Sequence, residues 1–220
     1  MPEFTLVLGD KNYSSWSLRP WLMLHMAGIA FEEETVRLRQ SDSKQNILRH
    51  SPSGFVPVLK HNGLVIWDSL AIAEYLAELF PEKQLWPAER TARARARAVS
   101  AEMHAGFLPM RTHMSMDLLG SRPGQGMDQE GVAANVARVQ EIWRDSRTSY
   151  GAGGPFLFGA FSIADAMYAP VVTRFRTYGV ACDTVCAGYM DAIWNLPAMQ
   201  NWIEGTRQQL AAPDKTTGAV

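Results

Sequence analysis

The sequence predicts an α/β domain followed by an all-helical domain, and three observations carry that prediction. Short apolar runs suited to strands fall only before Asp68. Asn62-Gly63 separates two of those runs and supplies the φ > 0 pair that a tight type I′ hairpin demands. Beyond Pro81 the apolar residues recur at helical spacing, with no further convincing strand.

Phe4 to Leu8 is mostly apolar and ends at Gly9-Asp10, which suits a buried strand releasing the chain into the loop Lys11 to Ser17. From about Ser17, Leu18, Trp21, Leu22, His25 and Met26 share a helical face, and Gly28 is placed to end that helix. Phe31 to Leu38 alternates in part, as a second strand does. A polar stretch, Ser41 to His50, precedes Ser51-Pro52-Ser53-Gly54-Phe55-Val56-Pro57-Val58-Leu59, a turn-rich entry to a strand whose partner returns over Leu64 to Trp67. Asp68 or Ser69 caps a helix carrying Leu70, Ile72, Ala73, Leu76 and Leu79, which stops before Pro81. The order β-α-β, hairpin, helix is that of the thioredoxin fold. The expected organisation is therefore a thioredoxin-like domain over 1–81, a connection over 82–87 and an all-helical domain over 88–220.

In the second domain, Pro87 to about Leu118 reads as one long helix, with Met103, Phe107, Met110 and Met114 in a single stripe. A second helix is expected over Gln129 to Ser149, and Gly151-Ala152-Gly153-Gly154-Pro155 breaks the chain without matching a phosphate-binding or dinucleotide pattern. Ser162-Ile163-Ala164-Asp165 is a capping-box variant opening an apolar helix. Tyr189 to Leu196 and Pro197 to Leu210 supply the last helical patterns, and Ala211 to Val220 reads as a loosely held tail.

Composition narrows the function classes. Hydrophobic residues make up 47% and charged residues 20% of the 220, as in a soluble folded protein. Lys plus Arg total 21 against 22 Asp plus Glu, so no global field recruits nucleic acid or an acidic membrane surface. Arg90, Arg93, Arg95 and Arg97 are spread around a helix rather than gathered on one face. No apolar run reaches the ~18 residues of a spanning helix, and a cytoplasmic location is expected. Cys182 and Cys186 read as ordinary reduced thiols with no helix N-terminus or basic neighbour evident. His104 and His113, on the same face of the long helix, are too few to hold a metal, and no metal is expected.

Three elements carry chemistry. Asn12-Tyr13-Ser14-Ser15-Trp16-Ser17 lies between a strand and a helix start, where backbone N–H groups and the helix dipole favour an anion such as a thiolate. A serine hydroxyl there would stabilise the thiolate rather than attack; the alternative is that these serines only cap the helix. Val56-Pro57 is a candidate cis bond that would turn the Val56 backbone towards an extended peptide ligand, the alternative being a trans proline on an edge strand. Asp68-Ser69 sits at another strand-to-helix junction, suited to the ammonium and carboxylate of an amino-acid-like group or, singly, to a plain cap.

Together, Ser14-Ser15-Trp16-Ser17-Leu18-Arg19, Val56-Pro57 and Asp68-Ser69-Leu70-Ala71-Ile72-Ala73-Glu74-Tyr75-Leu76 resemble the N-terminal domain of the glutathione S-transferase superfamily. Phe158-Gly159-Ala160-Phe161-Ser162-Ile163-Ala164-Asp165 resembles the corresponding segment of its helical domain. Within that superfamily the chain is similar to bacterial serine-type members, including the zeta class. Trp16 stands where the zeta class has Cys, which argues against a mixed-disulfide mechanism and against maleylacetoacetate isomerase activity.

The resemblance implies an enzyme that uses glutathione as co-substrate, with no metal. It implies Ser14, with Ser15 second, as donor to the sulfur; Val56 and Pro57 at the cysteinyl part; Asp68 and Ser69 at the γ-glutamyl part; and Lys44 or Gln45 at the glycyl carboxylate. Trp16, Phe107, Met110 and Met114 would border the pocket for a small hydrophobic electrophile, methionine being adaptable there, although core packing explains such a stripe equally. A homodimer is implied. Glutathione-dependent isomerase or peroxidase activity is the alternative chemistry, and a non-catalytic binding module is the alternative class.

Overall fold

A strand covered on both faces must be apolar at successive positions, and Phe4–Leu8 (β1) is the most buried strand of the sheet. In the computed structural model, which describes residues 3–212, β1 pairs in parallel with Phe31–Thr35 (β2) and antiparallel with Val58–His61 (β3), which in turn pairs with Leu64–Trp67 (β4). The sheet order is β2-β1-β3-β4. Edge strand β2 carries Glu32, Glu33 and Glu34, charges of the kind that discourage further strand pairing. The hairpin is as expected: Asn62 and Gly63 have φ of 47° and 82° between β3 and β4.

The parallel pair is joined by Ser15–Ala27 (α1), which starts two residues earlier than its apolar spacing suggests because Ser14 is its cap. Gly28 ends it in the left-handed region, φ 65°, with its N–H on the carbonyls of Leu24 and His25. The second strand is shorter than predicted, ending at Thr35. The stretch Ser41 to His50, expected to be plain polar chain, contains a short helix, Ser43–Leu48 (α2). Ser69–Leu79 (α3) packs beside α1, completing the thioredoxin-like unit.

The single long helix expected from Pro87 to Leu118 is two: Arg90–Ala105 (α4) and Leu108–His113 (α5). Gly106 is extended and Phe107 is left-handed, so the chain turns, yet Met103, Phe107, Met110 and Met114 all remain in one core. His104 and His113 are consequently on different helices. Val132–Tyr150 (α6) starts three residues later than predicted, and Ile163–Tyr178 (α7), Thr184–Trp194 (α8) and Pro197–Ala211 (α9) follow. At the start of α7 the Asp165 carboxylate accepts from Leu157 N, Ser162 N and Ser162 Oγ at 2.8–3.0 Å, as the capping motif requires. Burial nevertheless raises its carboxyl to about 6. The predicted tail lies outside the described residues from 213 onward.

The helical domain covers the outer side of α1, which touches both α7 and α9. Buried over most of its length, with His25 exposed near its end, α1 contains Pro20 and Arg19 as well as its apolar stripe. Among the described residues no helix is long and apolar enough to cross a membrane. Cys182 and Cys186 flank the N-cap of α8, where Asp183 accepts from Cys186 N and pairs with Arg144 at 2.7 Å; the expectation of no helix N-terminus or basic neighbour is corrected. Burial still prevails, raising the thiols to about 11 and about 12.

Candidate active site

The loop after β1 is held from the helical domain. Trp202 Nε1 donates to the Lys11 carbonyl at 3.0 Å, and Lys11 Nζ sits over the rings of Trp21 and Trp202 while pairing with Glu33 at 2.6 Å. Asn12 Nδ2 donates to Asp117 Oδ1 at 2.8 Å, and its Oδ1 accepts from Leu119 N. These anchors fix the approach to α1, so the serines are presented by a rigid turn.

Ser14 Oγ donates to Ser17 Oγ at 2.7 Å, and Ser17 Oγ also accepts from Gly9 N at 3.0 Å. A Cβ at position 9 would stand 3.1 Å from Ser14 Oγ and 2.5 Å from a Leu38 methyl, so a larger residue there would have to push the Leu38 side chain aside. Ser15 Oγ faces away from that pair and accepts from Arg174 Nη2 at 3.2 Å. Ser17, the last residue of the loop motif, thus gains a role of its own as partner of Ser14, for which the Ser14-x-x-Ser17 spacing is the signal.

A cleft of about 280 Å³ opens beside the start of α1, near the lower end of the usual range for small-molecule sites. Trp16 forms one side, the segment from Ser53 through cis Val56-Pro57 forms another, and Trp67, Asp68 and Ser69 close it. Of the predicted residues, the structure brings Trp16, Val56, Pro57, Asp68 and Ser69 together around it. Ser53, Phe55 and Trp67 join them without having been singled out. Asp68 holds φ 74°, a conformation unusual outside glycine, and Oδ1 accepts from Leu70 N at 2.8 Å. Its Oδ2 pairs with His104 Nε2 at 3.1 Å, tying the cap of α3 to the end of α4. The Ser69 hydroxyl is buried without a partner.

The other predicted residues lie outside the cleft lining. Ser14 and Ser15 are buried behind it, and Lys44 and Gln45 are exposed on α2. Phe107 is 7% exposed, while Met110 and Met114 are fully enclosed in the core. Among the described residues no group of three or more His, Cys, Asp or Glu gathers in metal-binding proximity.

Two family models match the chain: the glutathione S-transferase N-terminal domain over residues 13–79 and the C-terminal domain over residues 88–205. The chain belongs to the glutathione S-transferase family. It is 28% identical to a probable maleylacetoacetate isomerase of Caenorhabditis elegans over 162 residues, covering 72% of this chain and 75% of that protein. It is 43% identical to glutathione S-transferase 1 of Dianthus caryophyllus over 84 residues, 38% of each. The structure of a glutathione transferase homolog from Burkholderia GL BGR1 with bound glutathione superposes with a TM-score of 0.72 at 25% identity, covering 94% of this chain and 100% of that one. The order of elements is therefore that of a glutathione transferase, and every residue lining the cleft lies at or before Ser69.

Proposed function

We propose that the transferase holds glutathione across the cleft and keeps its sulfur ionised with the Ser14 hydroxyl. The organisation is 1–81 for glutathione and 88–220 for the second substrate, joined by 82–87. The observation that carries this reading is the joint placement of Trp16, cis Val56-Pro57 and Asp68-Ser69 around one cleft next to the α1 cap. The Val56 backbone pairs with the cysteinyl part, Asp68 Oδ2 exchanges His104 for the ammonium, and the Ser69 hydroxyl and backbone N–H receive the γ-glutamyl carboxylate. Lys44 and Gln45 face the glycyl end.

The Ser14–Ser17 pair supports Ser14 as donor. Hydroxyl hydrogens rotate to suit their partners, so Ser17 can donate to Ser14 Oγ while Gly9 N holds Ser17, leaving the Ser14 hydrogen free for sulfur. Ser15 stays tied to Arg174. The apolar body of an electrophile packs on Trp16 with Phe107, Met110 and Met114 behind that wall. A homodimer in the cytoplasm is the expected working form. Likeness to maleylacetoacetate isomerases supports a second reading, in which the thiolate adds reversibly to a double bond and is released.

Ser14→Ala tests the assignment. The ultraviolet titration of bound glutathione is expected to move its thiol pKa up towards the free value near ~8.5, with kcat/KM falling about 10²-fold. An unchanged titration would transfer the role to Ser15.

A further inference from the structure

Buried polar atoms without partners gather on the far side of Trp16. Arg19 is 1% exposed, and its Nε and Nη1 have no acceptor. Arg111, on α5, is half-buried with Nε likewise unpartnered; its Nη1 reaches only the His104 carbonyl, at 3.3 Å. His104 Nδ1 is buried without a partner as well. These groups surround one indole: the Arg19 guanidinium lies 4.1 Å and that of Arg111 5.4 Å from the Trp16 ring centroid, and the His104 ring meets it edge-on at 5.3 Å.

Cations removed from water are ordinarily paired, because desolvating an ion costs several kcal/mol. At the surface Arg97, Arg122 and Arg138 each meet a carboxylate at 2.7–3.1 Å, and the buried Arg174 meets three oxygens. Among the described residues neither Arg19 nor Arg111 belongs to an ion pair, and the nearby Asp68 carboxylate is already shared between His104 and the α3 cap. Burial, together with Arg174 and Arg111, pulls Arg19 down to about 9, which leaves it charged at neutral pH. This corner holds more positive charge and more donors than its one nearby carboxylate, Asp68, can meet.

We propose that Trp16, Arg111 and Arg19 form a subsite for a carboxylate on the second substrate, so that the electrophile is an activated aromatic or conjugated acid rather than a purely apolar molecule. The inference rests on the glutathione reading of the cleft, in which the tripeptide's own carboxylates lie at Ser69 and towards α2. The indole stacks on the substrate's π-system, Arg111 at the rim pairs with the carboxylate, and Arg19 behind the ring adds its field.

A matched pair of probes decides it: chloronitrobenzoate and the corresponding neutral chloronitrobenzamide. In each, the glutathione sulfur forms a C–S bond at the chlorinated ring carbon, the C–Cl bond breaks with its electron pair leaving as chloride, and the thiol proton goes to solvent. The ratio of kcat/KM for acid over amide is the readout. It is expected to favour the acid, to narrow as salt rises, to fall about tenfold or more in Arg111→Gln, and to be partly restored in Arg111→Lys.

A wild-type preference for the amide, or an Arg111→Gln loss that is equal for both probes, would overturn the subsite; the equal loss would assign the arginines to the thiolate instead. Turnover of neither probe would count against the transferase reading alone. The subsite would then be decided by quenching of tryptophan emission. Nitrobenzoate weakened by Arg111→Gln while nitrobenzamide is not sustains it, and equal weakening or no binding of either refutes it.

Discussion

Arg174 and Arg19 are both almost fully enclosed where α1 meets α7, and they are provided for in opposite ways. Arg174 donates from Nε to the Met114 carbonyl at 2.9 Å, from Nη1 to the Pro170 carbonyl at 3.0 Å and from Nη2 to Ser15 Oγ at 3.2 Å. Arg19 has the underside of Trp16 and two N–H groups with nothing to meet. The first is a structural tie between the two domains, its charge spread over three oxygens. The second costs stability as it stands, and a cost of that kind behind the Trp16 wall of a cleft is the mark of a residue kept for its ligand.

The sharpest way to break the comparison is to remove each cation while keeping its volume. Arg174→Met leaves Met114 O and Ser15 Oγ without their donors, and the loss is expected to be about 2–5 kcal/mol, read from urea midpoints at neutral pH. Arg19→Met should act the other way, stabilising by about 1–3 kcal/mol because an apolar side chain replaces an unpaired buried ion. The same variant should lose discrimination in favour of acidic electrophiles. Destabilisation by Arg19→Met comparable to that of Arg174→Met would make both arginines structural.

The contrast also marks how far the sequence could be read. The hairpin at Asn62-Gly63, the Asp68 cap and the Ser162–Asp165 motif are local chemistry, and local chemistry is written in neighbouring residues. So were Val56-Pro57 at a strand entry and Asp68-Ser69 at a strand-to-helix junction, because such junctions dictate their own residue types. The α2 helix escaped because six residues give too little periodicity to register. The break at Gly106 escaped because the apolar stripe continues across it into the same core. Arg111 and His104 reach Trp16 only through the packing of α4 and α5 on the first domain. Arg19 lies within the motif that carried the family resemblance, yet it stands off the apolar face that periodicity marks on α1. Contact with α7 and α9 extends burial beyond that face, and the guanidinium is buried with it.

A smaller effect isolates what keeps Arg19 dry. If the Trp16 indole is the cover, Trp16→Ala should admit water to the guanidinium and return much of its hydration. The gain from Arg19→Met would then shrink below about 1 kcal/mol in the Trp16→Ala background, and the difference from the gain in the wild-type background is the coupling energy of the pair. Four urea midpoints suffice to measure it. An undiminished gain would mean that the core around α1, rather than the indole, desolvates Arg19, and a ligand entering past Trp16 would not reach its charge. A diminished gain would make Trp16 the movable wall between the cleft and the buried cation, which is the arrangement a carboxylate-bearing electrophile needs.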